Sequence, residues 1–211
     1  MIKCKTTVYK TPLSPADVEA LAAAVKACKI IAFPTDTVYG LGSTGLVKAA
    51  ARRIYQIKGR SSLKPLPVLV DSIEAAKRWV EWTPAADALA RKFWPGALTL
   101  VLRPTMEGRL LTFAEYQTLA IRVPAHDELR RIIAASGVPW VSTSANLSDT
   151  PSLVEGADVA RQFEGLIELV VDDGRTSGGK ESTVVDAVGL PVRVLRESAL
   201  TSAQVLEALS S

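Results

Sequence analysis

The chain has 211 residues, 48% of them hydrophobic and 22% charged, with a formal net charge of +3. That composition supports a sizeable core, and no low-complexity tract points to disorder. No apolar run approaches the roughly 20 residues that cross a bilayer and no basic-then-apolar leader opens the chain, so a cytoplasmic protein without a membrane partner is expected. Cys4 and Cys28 form no CxxC pair, which argues against a zinc ribbon or a disulfide scaffold.

Ser14-Pro15 opens the first predicted helix, since serine can take an orphan N–H and proline is tolerated in the first turn. Val18, Leu21, Ala22, Val25 and Cys28 repeat at helical spacing, carrying that helix through Cys28. Lys29 to Phe33 reads as a buried strand ended by Pro34. Val47 to Ile57 is a second helix, with Val47, Ala50, Ile54 and Ile57 inward and arginines outward. Pro67 to Val70 is a strand, Ser72 caps a helix through Val80, and another helix runs from Pro84 to a stop at Trp94-Pro95-Gly96. Ala97 to Leu102 is a strand and Met106 to Tyr116 an irregular excursion. Leu119 to Val123 (strand), Asp127 to Ala135 (helix) and Val138 to Val141 (strand) follow. Val154 to Phe163 is helical, Glu168 to Val171, Thr183 to Asp186 and Pro191 to Leu195 are strands, and Ser202 to Leu209 is the last helix. Interleaved strands and helices predict an α/β domain, a single unit spanning 1–211, with helices covering an open sheet. The last two strands, divided by Gly189-Leu190-Pro191, read as a hairpin, which makes the sheet mixed.

Between Thr37 and Val70 there is no acidic residue, yet Lys48, Arg52, Arg53, Lys58, Arg60 and Lys64 all fall there. A patch of one sign suits an anionic ligand, either a phosphorylated small molecule or an RNA backbone. Three polar regions follow apolar strands, where ligands collect in open α/β sheets: Pro34 to Gly42, Ser142 to Ser152, and the loop around Gly178 to Ser182. None is a Walker loop, a GxGxxG turn or a GxSxG elbow, and the lone histidine, His126, is read as structural or solvent-facing. Ser142, Ser144 and Asn146 could aim hydroxyls and an amide into a cleft, or could close a turn. Lys58 and Arg60 flank Gly59 and could grip a polyphosphate from an extended loop, or form an exposed basic turn. Arg122 and Arg196 adjoin apolar strands, so each calls for an anion, either a protein carboxylate or a ligand.

These residues lie in motifs that resemble the YrdC/Sua5 family, the threonylcarbamoyl-AMP synthases of tRNA modification. The resemblance rests on PTDTVYGLG at 34–42, IKGR at 57–60, KPL at 64–66, FWPGALTLVL at 93–102, AIRVP at 120–124, TSANLS at 143–148, ESTVVD at 181–186 and VLRES at 194–198. It implies the YrdC-like (RibB-like) fold, an open twisted mixed sheet with helices on its faces and a central electropositive cavity. It implies condensation of L-threonine, bicarbonate and ATP to threonylcarbamoyl-AMP and pyrophosphate, with Mg2+ arriving on ATP. A tRNA threonylcarbamoyl-transferase complex would take the product, and direct contact with tRNA or double-stranded RNA would fit the basic surface. By motif, Thr35, Arg122, Ser142 and Ser182 resemble L-threonine contacts, with Tyr39 assisting. Lys58, Ser62, Thr118, Ser144, Ser152 and Arg196 resemble ATP contacts, with Asn146 beside them, and Lys58 and Arg60 are expected to carry the chemistry.

The chain departs from the family pattern at Ser61, commonly proline, and at Leu69, where longer members often carry a histidine that touches threonine. Asp149 and Ala97 also replace frequent residues, glycine and proline. A non-catalytic RNA-binding module of the same fold is the competing reading, although no RNP or KH motif is present.

Overall fold

The computed structural model describes residues 4–59, 65–111, 116–147 and 150–210. Its strands are β1 (Thr7–Lys10), β2 (Ile31–Phe33), β3 (Gly40–Thr44), β4 (Val68–Leu69), β5 (Leu98–Leu102), β6 (Leu119–Arg122), β7 (Trp140–Ser144), β8 (Leu169–Asp172), β9 (Thr183–Asp186) and β10 (Arg193–Arg196). Its helices are α1 (Pro15–Lys26), α2 (Lys48–Lys58), α3 (Ile73–Trp79), α4 (Pro84–Phe93), α5 (Asp127–Ser136), α6 (Gly156–Phe163) and α7 (Ser202–Ser210). All the strands join one sheet in the order β1-β8-β2-β3-β7-β4-β6-β5-β9-β10. The β2–β3, β3–β7, β4–β7, β5–β6 and β9–β10 pairs are antiparallel and the others parallel, so the expected mixed sheet and terminal hairpin are present.

Successive strand residues point to opposite faces, and here they sort into two cores. Ile31, Phe33, Leu69, Trp140, Leu169 and Val171 pack with Leu21 and Val25 of α1 and Leu129, Ile132 and Ile133 of α5. Their sequence neighbours Ala32, Val68, Val141 and Val170 face the other way, onto Ile54 of α2, Leu89 of α4, Phe163 of α6 and Val205 of α7. Burial on both faces explains why the central strands read as continuous apolar runs rather than alternating ones.

Two strands escaped the sequence reading. β1 is an edge strand of four residues, mostly exposed, and its place comes from parallel pairing with β8, Thr7 opposite Leu169. β3 begins in Gly40-Leu41-Gly42, a stretch expected to be loop. Gly40 lies opposite Phe33 in the register, and a Cβ on Gly40 would come 2.4 Å from the Phe33 ring. The ring takes the space of a side chain at Gly40, and pairing with β2 and β7 holds the strand, a tertiary effect that outweighs the low β-propensity of glycine. β7 runs through Ser144, so Ser142 and Ser144 belong to a strand rather than to the loop after it.

α1 ends at Lys26 rather than Cys28. The 106–116 excursion contains a short 3-10 helix, Gly108–Leu111, and 112–115 lie outside the described residues. Among the described residues no helix is long and apolar enough to cross a membrane.

Candidate functional site

On the face covered by α1 and α5, the sheet carries a cleft beyond the reach of those helices. Trp140 packs beneath the helices; two and four residues on, Ser142 and Ser144 continue the same face of β7 opposite Gly42 and Gly40. The Phe33 ring lies over Gly40 and Gly42, and both serines line the cleft beside it. Phe33, Val38, Leu69 and Pro67 contribute apolar lining to a cleft of ≈ 150 Å³, open to solvent. Its polar lining gathers Thr35, Thr37, Thr99, Arg122, Ser142, Ser144, Glu181, Ser182 and Arg196 from loops and strands far apart in the chain. Leu69 lines it where longer members of the resembled family often have histidine.

Thr35 and Thr37 close the turn after β2. The Thr35 hydroxyl donates to the Val38 carbonyl at 2.6 Å and accepts from the Thr37 N–H at 3.0 Å. Arg122, at the end of β6, finds its anion in the same turn: Nη2 donates to Asp36 Oδ1 at 2.7 Å, Nη1 to Thr37 Oγ1 at 3.1 Å and Nε to the Gly96 carbonyl at 2.9 Å. A protein carboxylate is therefore the partner that the buried arginine required. Burial pushes the Arg122 pKa down, Asp36 counters that, and the nearby charge of Arg196 adds to the depression.

Lys58 is not a loop residue, as expected from the Gly/Ser/Pro punctuation after it, but the last residue of α2, buried to 3% exposure. Its ammonium donates to the Ser144 carbonyl and, at 2.7 Å, to Asn146 Oδ1, which also accepts the Ser144 hydroxyl at 2.7 Å. Asn146 Nδ2 donates to the Thr150 carbonyl, which fixes the amide orientation. A cation at a helix C-terminus is favoured by the helix dipole. Lys58 and Arg60 thus do not share one extended loop; Arg60, Ser62 and Lys64 lie outside the described residues. Arg53, expected to face solvent, instead pairs with Glu168 at 2.5 Å, and Glu168 in turn accepts the Ile30 N–H.

Across the cleft, Ser182 Oγ and Thr99 Oγ1 lie 2.8 Å apart. Glu181 accepts the Ser152 hydroxyl at 3.0 Å through one carboxylate oxygen and pairs with Arg196 Nη1 through the other. Arg196 also donates to the Ser182 carbonyl at 2.9 Å. Glu181 therefore joins two residues that were both expected to touch ATP.

Tyr39 lines the main cleft, and its hydroxyl donates to the Gly174 carbonyl at 2.8 Å and accepts the Asp173 N–H at 3.0 Å. The hydroxyl expected to touch an amino acid is thus engaged in bracing the loop after β8. Burial pushes its pKa up to about 12. Thr118 lines a second, smaller cavity with Lys48, Tyr116 and Leu119 that shares no lining residue with the main cleft. His126 has the structural role read from sequence: Nδ1 accepts from Leu129 N–H at the start of α5 and Nε2 meets Asp173. Sequence reasoning passed over Asp36, Thr37, Thr99 and Glu181. Asp36 ends the acidic residues just before the acid-free stretch, and Glu181 opens ESTVVD, so both signals were in view.

Residues 23–198 match the family model Sua5_yciO_yrdC, described as "Telomere recombination". The chain is 41% identical over 174 residues to the threonylcarbamoyl-AMP synthase of Pyrococcus abyssi, covering 82% of this chain and 51% of that protein. It is 40% identical over 188 residues to the Bacillus subtilis threonylcarbamoyl-AMP synthase, covering 87% of this chain and 54% of the relative. The chain thus spans about half the length of these curated relatives. Among solved structures, P. abyssi Sua5 complexed with L-threonine superposes with a TM-score of 0.90 at 35% identity, covering 98% of this chain and 61% of that one. Escherichia coli YciO, at 21% identity and a TM-score of 0.85 over 95% of this chain and 98% of its own, shares the fold.

Proposed function

The chain belongs to the Sua5/YciO/YrdC family, and on that premise we propose that it is a threonylcarbamoyl-AMP synthase acting on L-threonine, bicarbonate and ATP. One observation carries the reading: Thr35, Arg122, Ser142 and Ser182, the expected amino-acid contacts, line the same cleft as Ser144 and Arg196, expected on the nucleotide side. The two substrates would then meet across about one cleft width, which is what joining them requires.

In this proposal the threonine carboxylate takes N–H groups of Arg122 not used by Asp36, Thr37 and Gly96. The protonated amine combines with bicarbonate to give a carbamate, water and a proton. A carbamate oxygen attacks the α-phosphorus of ATP, and pyrophosphate leaves. Lys58, held by Ser144 and Asn146, together with Arg196, offsets phosphate charge as that bond breaks. Ser62 and Ser152 belong to the expected nucleotide set and Arg60 to the expected chemistry, whereas Thr118, also expected on the nucleotide, lines the separate smaller cavity. The apolar wall of Phe33, Pro67 and Leu69 limits water around a carbamate that hydrolyses readily.

Magnesium enters with ATP, coordinated by phosphates and water; among the described residues no group of three or more His, Cys, Asp or Glu side chains is arranged to hold a metal ion. A tRNA threonylcarbamoyl-transferase complex in the cytoplasm is the proposed consumer of the product.

The test incubates purified protein with ATP, Mg2+, labelled bicarbonate and each amino acid in turn, with products identified by mass. Threonylcarbamoyl-AMP and pyrophosphate are expected with L-threonine. No product under conditions that support a relative's activity would overturn the reading, and salt-dependent RNA binding without turnover would favour the binding module.

A further inference from the structure

Asp36 sits between Thr35 and Thr37 with only 14% of its side chain exposed, against 7% for Arg122. Its Oδ1 accepts both Arg122 Nη2, at 2.7 Å, and the Ala125 N–H, at 3.0 Å, so one oxygen ties the turn after β2 to the segment after β6. Thr37 Oγ1 and the Gly96 carbonyl hold the other two guanidinium nitrogens. A guanidinium has five N–H groups, and these three bonds leave two for a ligand. Because the partners come from separate segments, they fix both the plane and the rotation of the fork before any ligand arrives. A carboxylate beside an anion-binding arginine opposes the ligand's charge. Asp36 offsets the buried charge of Arg122 and, through the same bonds, fixes the orientation of the fork.

We propose that Asp36 is a positioning residue for the amino-acid substrate, holding the Arg122 guanidinium so that its two spare N–H groups meet the substrate carboxylate. The inference rests on the synthase reading above and extends it to a residue outside the expected contact set. Asp36→Ala removes the anchor and lets the fork turn. Asp36→Asn keeps an oxygen that can accept from Arg122 and Ala125 while removing the charge.

The experiment measures binding of L-threonine and of L-threoninamide, which lacks the carboxylate, to the full chain by calorimetry. Wild-type protein is expected to prefer threonine by about 10- to 100-fold, the range of a hydrogen bond to a charged group. Asp36→Ala is expected to shrink that preference to about threefold or less, and Asp36→Asn to retain most of it. A general loosening of the fold weakens both ligands and leaves their ratio unchanged, so the ratio reports orientation. Asp36→Ser, too short to reach Arg122, carries the same expectation should Asp36→Ala fail to fold. A wild-type ratio in the Ala or Ser variant, or an Asn variant as indifferent as Ala, overturns the inference while the synthase reading stands. Wild-type protein that binds no threonine overturns both.

Discussion

Lys58 Nζ stands 2.7 Å from Asn146 Oδ1 across 88 residues of sequence. The contact joins the C-terminus of α2 to the end of β7 and seats a buried ammonium beside the cleft. The Ser144 hydroxyl reaches the same Asn146 oxygen, so helix, strand and loop share one polar junction. Such a junction costs little while complete and a good deal when one member is missing, because the remaining groups stay buried.

Asn146 therefore separates geometry from charge. Asn146→Ala leaves Lys58 without one acceptor and should lower stability by about 1.5–3 kcal/mol, a shift of roughly 3–12 °C for a chain of this size, with activity down at least about tenfold. Asn146→Asp offers Lys58 a charged acceptor but loses the donor to the Thr150 carbonyl, so stability should fall less than in the Ala variant, while the added carboxylate repels phosphate. Its ATP KM should rise by about tenfold or more. Thermal melts and pyrophosphate release against ATP concentration check both, and an Asp variant with unchanged ATP KM would remove Lys58 from the phosphate site.

Arg196 should divide the two substrates. Its pairing with Glu181 leaves their side chains 47% and 35% exposed, so Arg196→Ala should cost about 1 kcal/mol or less of stability. Ser182 keeps its Thr99 partner in that variant. The expected result is an ATP KM raised about tenfold and a threonine KM within about twofold of wild type. Equal loss for both substrates in steady-state kinetics would refute the division of the cleft.

Much of this architecture was legible beforehand, for reasons that can be named. α1 was marked by Ser14-Pro15 and the spacing of Val18, Leu21 and Val25, and its capping box is present in the structure. The Thr35 and Arg122 positions followed from motif matches, and both line the cleft. β3 was hidden because Gly40 takes its strand geometry from Phe33, a neighbour across the turn. Lys58 looked like loop because its setting depends on Ser144 and Asn146, invisible to local pattern. The partner of Arg122 could be required from burial but not named, since Asp36 lies 86 residues away.

Gly178 governs how closely the third loop approaches the turn after β2. A Cβ there would lie 2.4 Å from the Asp36 carbonyl oxygen and 3.0 Å from Thr37 Cα, both backbone atoms that cannot swing aside. The adjacent Gly179 N–H donates to the Thr37 carbonyl at 2.9 Å, and Glu181 and Ser182 follow directly. Gly178→Ala should cost about 1–3 kcal/mol and, by lifting Glu181 and Ser182 from the cleft, reduce turnover with either substrate limiting by about tenfold or more. Gly189→Ala, where a Cβ meets nothing within 4 Å, is the control and should stay within about 0.5 kcal/mol of wild type. Denaturant melts and kinetics on the pair check this; wild-type turnover in Gly178→Ala would mean that the loop's seat is immaterial.

Tyr39 ties the fold's stability to alkaline pH. Its hydroxyl donates to the Gly174 carbonyl and accepts the Asp173 N–H, and burial raises its pKa from 10.0 to about 12. A native state that holds its proton more tightly than the unfolded chain is stabilised fully below the unfolded value. That contribution shrinks as pH rises from about 10 towards about 12, where the unfolded chain has already released the proton. Tyr39→Phe lacks the contribution throughout and loses both hydrogen bonds, a loss of about 1–3 kcal/mol at neutral pH at the usual net worth of each bond. The gap between wild type and Tyr39→Phe should therefore be constant from about pH 7 to 9 and close as pH climbs past about 10. Urea denaturation of both proteins across that range reads the gap directly, and a gap that widens with pH would reverse the assigned direction of the shift.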